Sequence, residues 1–301
     1  MSTDPRIQFN RLLDHRSIDH LIRMNDGDRC ALLIELLGQP ASESSWQALW
    51  ELFACWPADS TRADAIEIAK RTLAAWPDRL RFASSSDTRL HKSSDSGRRL
   101  SPIAQLVRTV EIYRRNENGS SELQAIAASE QARCFTIISI QRSEIDSSAW
   151  RALAASAHLS GLRHLHVRRT VIPQPCFGNL FQSAALADLQ CLKLVQVGLG
   201  AQTLIDTQQT MRLVQLRELE LSSDALGNDG AFALAQASWL SQIRRLTLQQ
   251  NFIRADGIRA LLSSPNAEQL ERLDVSNINL DDAERSALIA LAASRKIELI
   301  L

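Results

Sequence analysis

An apolar triplet of the form LxxLxL returns six times at a fixed interval. It reads Phe135-Ile138-Ile140, Leu162-Leu165-Val167, Leu189-Leu192-Leu194, Leu216-Leu219-Leu221, Ile243-Leu246-Leu248 and Leu270-Leu273-Val275. Each start lies 27 residues after the one before, and a further step reaches Ile297 in the closing "IELIL". The phase continues inside each unit. Ten residues after the starts stand Ile145, Ile172, Leu199, Leu226, Ile253 and Leu280. Eighteen after stand Leu153, Leu180, Leu234, Leu261 and Leu288. The third unit has Thr207 there, and Leu204 and Ile205 are expected to fill the space. A fixed period of this length predicts stacked structural units.

Each unit reads as a strand followed by a helix. The triplet alternates with period two at its end, which suits a strand. Ala231, Leu234 and Ala235 share one helical face, as do Ile258, Leu261 and Leu262. One unit cannot bury its apolar face alone, but stacked units share a continuous core. Strands stack ~4.8 Å apart while helices need roughly 10 Å. The stack is therefore expected to curve, with a parallel sheet on the concave side and helices on the convex side.

These features resemble the leucine-rich repeat family, within it the ribonuclease-inhibitor-like class. "IRRLTLQQNFIRADGIRALL" (243–262) carries the likeness best. Asn251 stands where the family places its Asn, and Gly257 and Gly230 where it places a small turn residue. Thr170, Val197 and Asp224 replace the Asn elsewhere, so the Asn ladder is incomplete. The resemblance implies an α/β solenoid that binds proteins and seldom catalyses. Family members that activate a small GTPase typically carry an acidic tail, and this chain ends in "IELIL".

The solenoid is expected over 102–301, with starts near 107, 135, 162, 189, 216, 243 and 270 and a final strand at 297. The segment before Phe135 has two readings. Val107, Val110 and Ile112 fit a strand with "NENG" as its turn, while Ile103, Leu106, Val107 and Val110 also fit an amphipathic helix. The β-branched and aromatic "VRTVEIY" favours the strand. Residues 84–101 are rich in Ser and charge and read as a linker. Residues 1–83 read as a small all-helical domain. Ser44 and Ser60 are its expected N-caps, and Trp46, Trp50, Trp56 and Trp76 its expected core.

Net charge is zero over 301 residues, with 34 basic and 34 acidic. Gross charge therefore makes no case for nucleic acid or a membrane surface. The start is polar, no apolar run is long enough for a membrane span, and the five cysteines are scattered without a CxxC. A reduced, cytoplasmic protein is expected. Export as a bacterial effector remains open, with the helical domain recruiting a second protein in an F-box-like manner. Residues 8–50 lack a clear Leu-Pro opening for that role. No P-loop, dinucleotide fingerprint, H-E-x-x-H or G-x-S-x-G occurs, so neither enzyme activity nor a cofactor is expected.

The repeat phase names the side chains on the concave face. Nine are basic: Arg142, Arg163, Arg168, Arg169, Lys193, Arg217, Arg244, Arg245 and Arg272. Four are acidic: Glu218, Glu220, Glu271 and Asp274. The excess of five positives predicts a protein partner with an acidic patch. His164, His166, Thr247 and Gln249 share that surface. Nucleic acid is not expected, because stacking aromatics are missing. Cys191 falls beside His164, but a metal set would lack a fourth ligand and Lys193 would repel a cation, so no metal is expected. Ile297, Ile300 and Leu301 form a last strand whose open edge the helix 281–295 shields or a second copy pairs.

Overall fold

The computed structural model describes residues 15–85, 87, 90–94, 97–113, 119–278 and 280–301. Positions 116–118 of the expected "NENG" turn lie outside the described residues. So do 6–14 of the first expected helix. The chain divides into two compact units, Met1–Val110 and Glu111–Leu301.

The first unit holds helices His15–Arg23, Asp26–Leu37, Glu43–Cys55 and Ser60–Leu73. The caps differ from the expected serines. Ser42 accepts from Ser45 N at 3.0 Å, because the helix begins at Glu43 and Ser44 already lies in its first turn. Asp59 accepts from Arg62 N at 2.9 Å and leaves Ser60 as the first helical residue. A carboxylate there also answers the positive end of the helix dipole. Trp46, Trp50, Trp56 and Trp76 are all buried. Trp46 and Trp50 stack with centroids 5.8 Å apart, and their indole N–H groups donate to Phe82 O and Asp87 Oδ2. Such acceptors offset the burial of an indole donor, although Trp56 Nε1 has none among the described residues. Residues 84–101 include two antiparallel strands, β2 (His91–Ser94) and β3 (Gly97–Leu100), after β1 (Phe82–Ser84).

The segment with two readings is a strand, β4 (Thr109–Tyr113), preceded by a 3-10 turn at Pro102–Leu106. From it the sheet of the second unit runs in sequence order. Its strands are β5 (Ile137–Gln141), β6 (His164–Arg168), β7 (Cys191–Val195), β8 (Glu218–Ser222), β9 (Arg245–Thr247), β10 (Arg272–Asp274) and β11 (Glu298–Ile300). Pairing from β5 onward is parallel, and it makes the repeat visible as register. Ile137 lies against His164, then Cys191, Glu218, Arg245 and Arg272, each partner 27 residues on. The next partner is Glu298, one residue short of the period. A one-residue slip exchanges the faces of a strand. Leu299 therefore pairs with Leu273, and Ile300 lies beside Asp274.

Leu165, Leu192, Leu219, Leu246 and Leu273 form one buried row beneath the sheet. Burying each contributes ~1.5–3 kcal/mol. Helices such as Ser147–Ala154, Gly227–Gln236 and Ala255–Ser263 cover that side through buried Leu153, Leu234 and Leu261. In the third unit Leu204 is buried but Ile205 is exposed, contrary to expectation. Thr207 keeps the inward position itself, because its hydroxyl donates to Thr203 O at 2.8 Å and is thereby satisfied. No described helix is long and apolar enough to cross a membrane.

Each of the strands β5 to β10 is followed by a left-handed residue at the same phase. Arg142, Arg169, Gln196, Ser223, Gln250 and Asn277 have φ between 47° and 67° and recur every 27 residues. The chain turns there, and side chains of the following unit satisfy its backbone. Asn251 accepts from Asp224 N and Leu226 N and donates to Leu221 O and Leu248 O. Thr170 Oγ1 accepts from Ser143 N. Asp224 Oδ1 accepts from Val197 N, Gly198 N and Leu199 N at 2.9, 2.8 and 3.2 Å. The ladder is thus more complete than its single Asn implies. A second ladder gave no sequence signal: Ser156, Ser183 and Ser264 donate to Ala127 O, Ala154 O and Ala235 O of preceding helices or helix ends.

Asp224 is the weak rung. Its buried Oδ2 has no hydrogen-bond partner among the described residues. Burial raises the carboxyl above its ordinary value, against the backbone donors that lower it. An Asn there keeps the acceptor and removes the buried charge. Asp224→Asn is expected to add ~1 kcal/mol at pH 7. The sign of the pH effect follows from the raised value. The protonated carboxyl is favoured on folding, so its contribution is full below the unfolded value of ~3.9 and is lost as pH rises through the folded value. Urea melts at pH 4 and 7 should show the variant's advantage growing with pH, and a variant weaker than wild type at pH 7 contradicts the assignment.

Candidate functional site on the open sheet face

The strand period sends alternate side chains away from the helices. Along β6 these are His164, His166 and Arg168, and along β7 Cys191, Lys193 and Val195. Along β8 they include Glu218 and Glu220, along β9 Arg245 and Thr247, and along β10 Arg272 and Asp274. Ser139, Gln141, His166, Arg168, Lys193 and Glu220 line one polar depression on this face. Cys191, Glu218, Arg245, Thr247 and Arg272 line a second.

Pairing changes the meaning of the positive excess. Arg245 meets Glu218 at 2.9 Å, and Arg244 meets Glu271 at 2.9 Å. Lys193 meets Glu220 at 3.5 Å, Arg272 meets Glu298 at 3.6 Å, and Arg163 meets Asp188 at 3.5 Å. Arg217 donates to Val214 O and Leu216 O. These exposed pairs each contribute little to stability, but they neutralise charge locally. Arg142, Arg168 and Arg169 are exposed and make no ion pair among the described residues. They lie together at the strand ends, where Gln141 pairs with Arg168 and Arg142 N donates to Arg168 O at 3.0 Å. Apart from Arg217, the arginines of this face without an ion pair among the described residues are therefore gathered there, rather than spread over nine positions.

Asp274 departs from the expected exposure. It is buried, because Gln249 Nε2 and Ser276 N both donate to its carboxylate. Gln249 is thereby committed to Asp274 on the same surface.

His164, His166 and Cys191 come together as the repeat phase placed them. The two imidazoles meet edge to face with centroids 6.1 Å apart, and Cys191 Sγ lies 3.8 Å from His166 Nε2. Burial, then Lys193 and His164, lower His166 to about 4, so it is neutral at pH 7. Burial and the carboxylate of Glu218 raise the Cys191 thiol to about 12. A thiol so held is protonated at neutral pH and is a poor nucleophile. Lys193, expected to repel a cation, has its own carboxylate in Glu220.

No family model and no curated protein matches the chain. Among solved structures, a protein from Bacteroides fragilis is 12% identical, with 81% of this chain and 84% of that chain covered and a TM-score of 0.44. An internalin from Listeria monocytogenes is 13% identical, with 79% and 88% covered and a TM-score of 0.32. Neither likeness carries weight for function at these scores. The fold is read from the sheet itself: parallel strands in 27-residue register, each followed by a covering helix, fit a leucine-rich-repeat-like solenoid.

Proposed function

We propose that the chain is a non-catalytic protein-interaction module of the ribonuclease-inhibitor-like repeat class. Its partner presents an acidic patch to the open, concave sheet face. Arg163, Arg168, Arg169 and Lys193 with His164 and His166 would form one part of the contact. Arg217, Glu218, Glu220, Arg245, Thr247 and Arg272 would form the rest, over the Gln249–Asp274 hydrogen bond that supports them. The observation that carries the reading is the group of exposed arginines without ion pairs, Arg142, Arg168 and Arg169. Uncompensated charge on a structured surface steers association with an opposite charge.

The test compares proteins retained by wild type with those retained by an Arg142→Glu/Arg168→Glu/Arg169→Glu variant. None of these side chains is buried, so the fold is expected to persist, and circular dichroism checks it. Like charges brought together cost several kcal/mol, so partners should bind roughly 100-fold more weakly. An unchanged partner set ends the proposal.

A second reading gives the helical unit its own partner, as in a secreted adaptor. It is favoured by the exposed apolar side chains of Ile22 and Ile34, and separately by a groove lined by Leu21, Met24, Leu32 and Leu36. Ile34→Asp should then remove a different set of proteins from those lost with the arginine variant. Loss of no protein rejects this reading. Self-association through β11 is a further proposal, because β11 pairs only with β10 among the described strands. Light scattering at high concentration decides it, and a strict monomer removes it.

A further inference from the structure

We propose that His164, His166 and Cys191 bind one divalent transition-metal ion of the zinc class on the open face of the sheet. This goes beyond the protein-binding reading and does not require a partner. The three candidate ligand atoms lie within 4.8 Å of one another. No other trio of His, Cys, Asp or Glu among the described residues is gathered this way.

The spacing suits the ion. A tetrahedral centre with Zn–N of ~2.0–2.1 Å and Zn–S of ~2.3 Å holds its ligand atoms roughly 3.3–3.7 Å apart. Sγ of Cys191 and Nε2 of His166 are already 3.8 Å apart. Small side-chain rotations close the set. The backbone does not need to move, because β6 and β7 are locked in register, with His164 opposite Cys191, and flanked by β5 and β8. Two nitrogens and one sulfur form a ligand set that favours zinc or copper over magnesium or calcium.

The proton balance also closes. Binding breaks the Cys191 S–H bond, forms a metal–thiolate bond and releases one proton to solvent. Glu218 is the register neighbour of Cys191, and its carboxylate acts on the thiol. Glu218 can receive that proton transiently, or take the fourth position as a carboxylate ligand. Water is the other candidate for that position. With the thiolate alone the site carries one net positive charge; Glu218 would offset it only by leaving Arg245, which it meets at 2.9 Å, while Lys193 stays paired with Glu220 at 3.5 Å. The same pattern does not arise elsewhere along the sheet. The residues in register with His164 and Cys191 are Ile137, Arg245 and Arg272 on three of the other strands.

The experiment titrates the full chain, stripped with chelator, with Zn²⁺ and with Co²⁺ as a spectroscopic substitute. The expected result is one equivalent bound, with the intense visible bands of tetrahedral Co²⁺ and a thiolate-to-metal charge-transfer band. Cys191→Ser should abolish the charge-transfer band and weaken binding at least tenfold. His164→Gln and His166→Gln should each weaken binding while keeping that band. Cys134→Ser and Cys176→Ser should change neither. Melting curves establish that each variant is folded. Absence of one-to-one binding at about 10 μM metal, near −7 kcal/mol, overturns the proposal. So does binding that Cys191→Ser leaves unchanged. The arginine-to-glutamate variant should still bind one equivalent of metal even where it loses its partners, so failure of one proposal is distinguishable from failure of the other.

Discussion

Asn251→Ala is expected to destabilise the second unit by ~3 kcal/mol. Asn251 is almost fully buried and joins two successive units through one side chain. Its oxygen accepts from the amides of Asp224 and Leu226, and its nitrogen donates to the carbonyls of Leu221 and Leu248. Alanine leaves these backbone groups without that partner in a turn that water reaches poorly. Each stranded group costs ~1–3 kcal/mol, partly recovered by relaxation. The melting midpoint should fall by roughly 6–12 °C for a unit of this size. The neighbouring Phe252 is a sharp control, because it is 79% exposed. Phe252→Ala should stay within ~0.5 kcal/mol of wild type. A loss below ~1 kcal/mol for Asn251→Ala in urea melts would mean that the turn is held by something else.

Arg81→Ala should have the largest effect in the first unit, ~3–5 kcal/mol. Arg81 is buried, an unusual place for a guanidinium. Its Nε donates to Leu106 O at 2.8 Å and its Nη1 to Leu73 O at 3.1 Å. Leu73 ends the helix Ser60–Leu73, so the positive group also meets the negative end of that helix. The Arg81 carbonyl accepts from Arg108 N and Thr109 N, which fixes the following strand from the same residue. Hydrogen bonds to a charged group contribute ~1.5–3 kcal/mol each, and alanine removes at least these two. Lysine is a single point charge and cannot reproduce the fork, so Arg81→Lys should recover less than half. Tryptophan fluorescence reads this unit well, since it holds four of the six tryptophans. A loss under ~1 kcal/mol for Arg81→Ala would show that these bonds are replaceable by water.

The core of the second unit was legible because register forces it. A parallel stack must place its inward residues at one interval, and Leu165, Leu192, Leu219, Leu246 and Leu273 do so in both sequence and structure. The turns were only half legible. Asn251 has a recognisable residue type, but Asp224 does similar work with a carboxylate, and the three serines of the second ladder look like ordinary polar residues. The left-handed positions gave no signal, since Arg142, Arg169 and Gln250 occupy them instead of glycine. Ile205 is exposed because a self-satisfied Thr207 holds the inward position, an option that apolarity alone does not reveal.

The sheet face was legible as a set of residues but not as a field. Counting charges ignores pairing, and the pairs here are cross-strand neighbours such as Glu218 with Arg245. Subtracting them leaves Arg142, Arg168, Arg169 and Arg217, and Arg217 is held by the carbonyls of Val214 and Leu216, so the exposed group is the first three. The His164, His166 and Cys191 group was visible from repeat phase alone. The objection that Lys193 repels a cation depended on a side-chain pairing that sequence does not display.

A partner on the open sheet face must cover Lys193, and lysine labelling reads that cover. The chain has four lysines, Lys70, Lys92, Lys193 and Lys296, and Lys193 is the one on that face of β7. Acetylation rates are measured for the protein alone and for its complex with partners that the triple arginine variant does not retain. Lys193 should be protected several-fold in the complex, while exposed Lys296 keeps its rate. Equal labelling of Lys193 in both states would contradict the account.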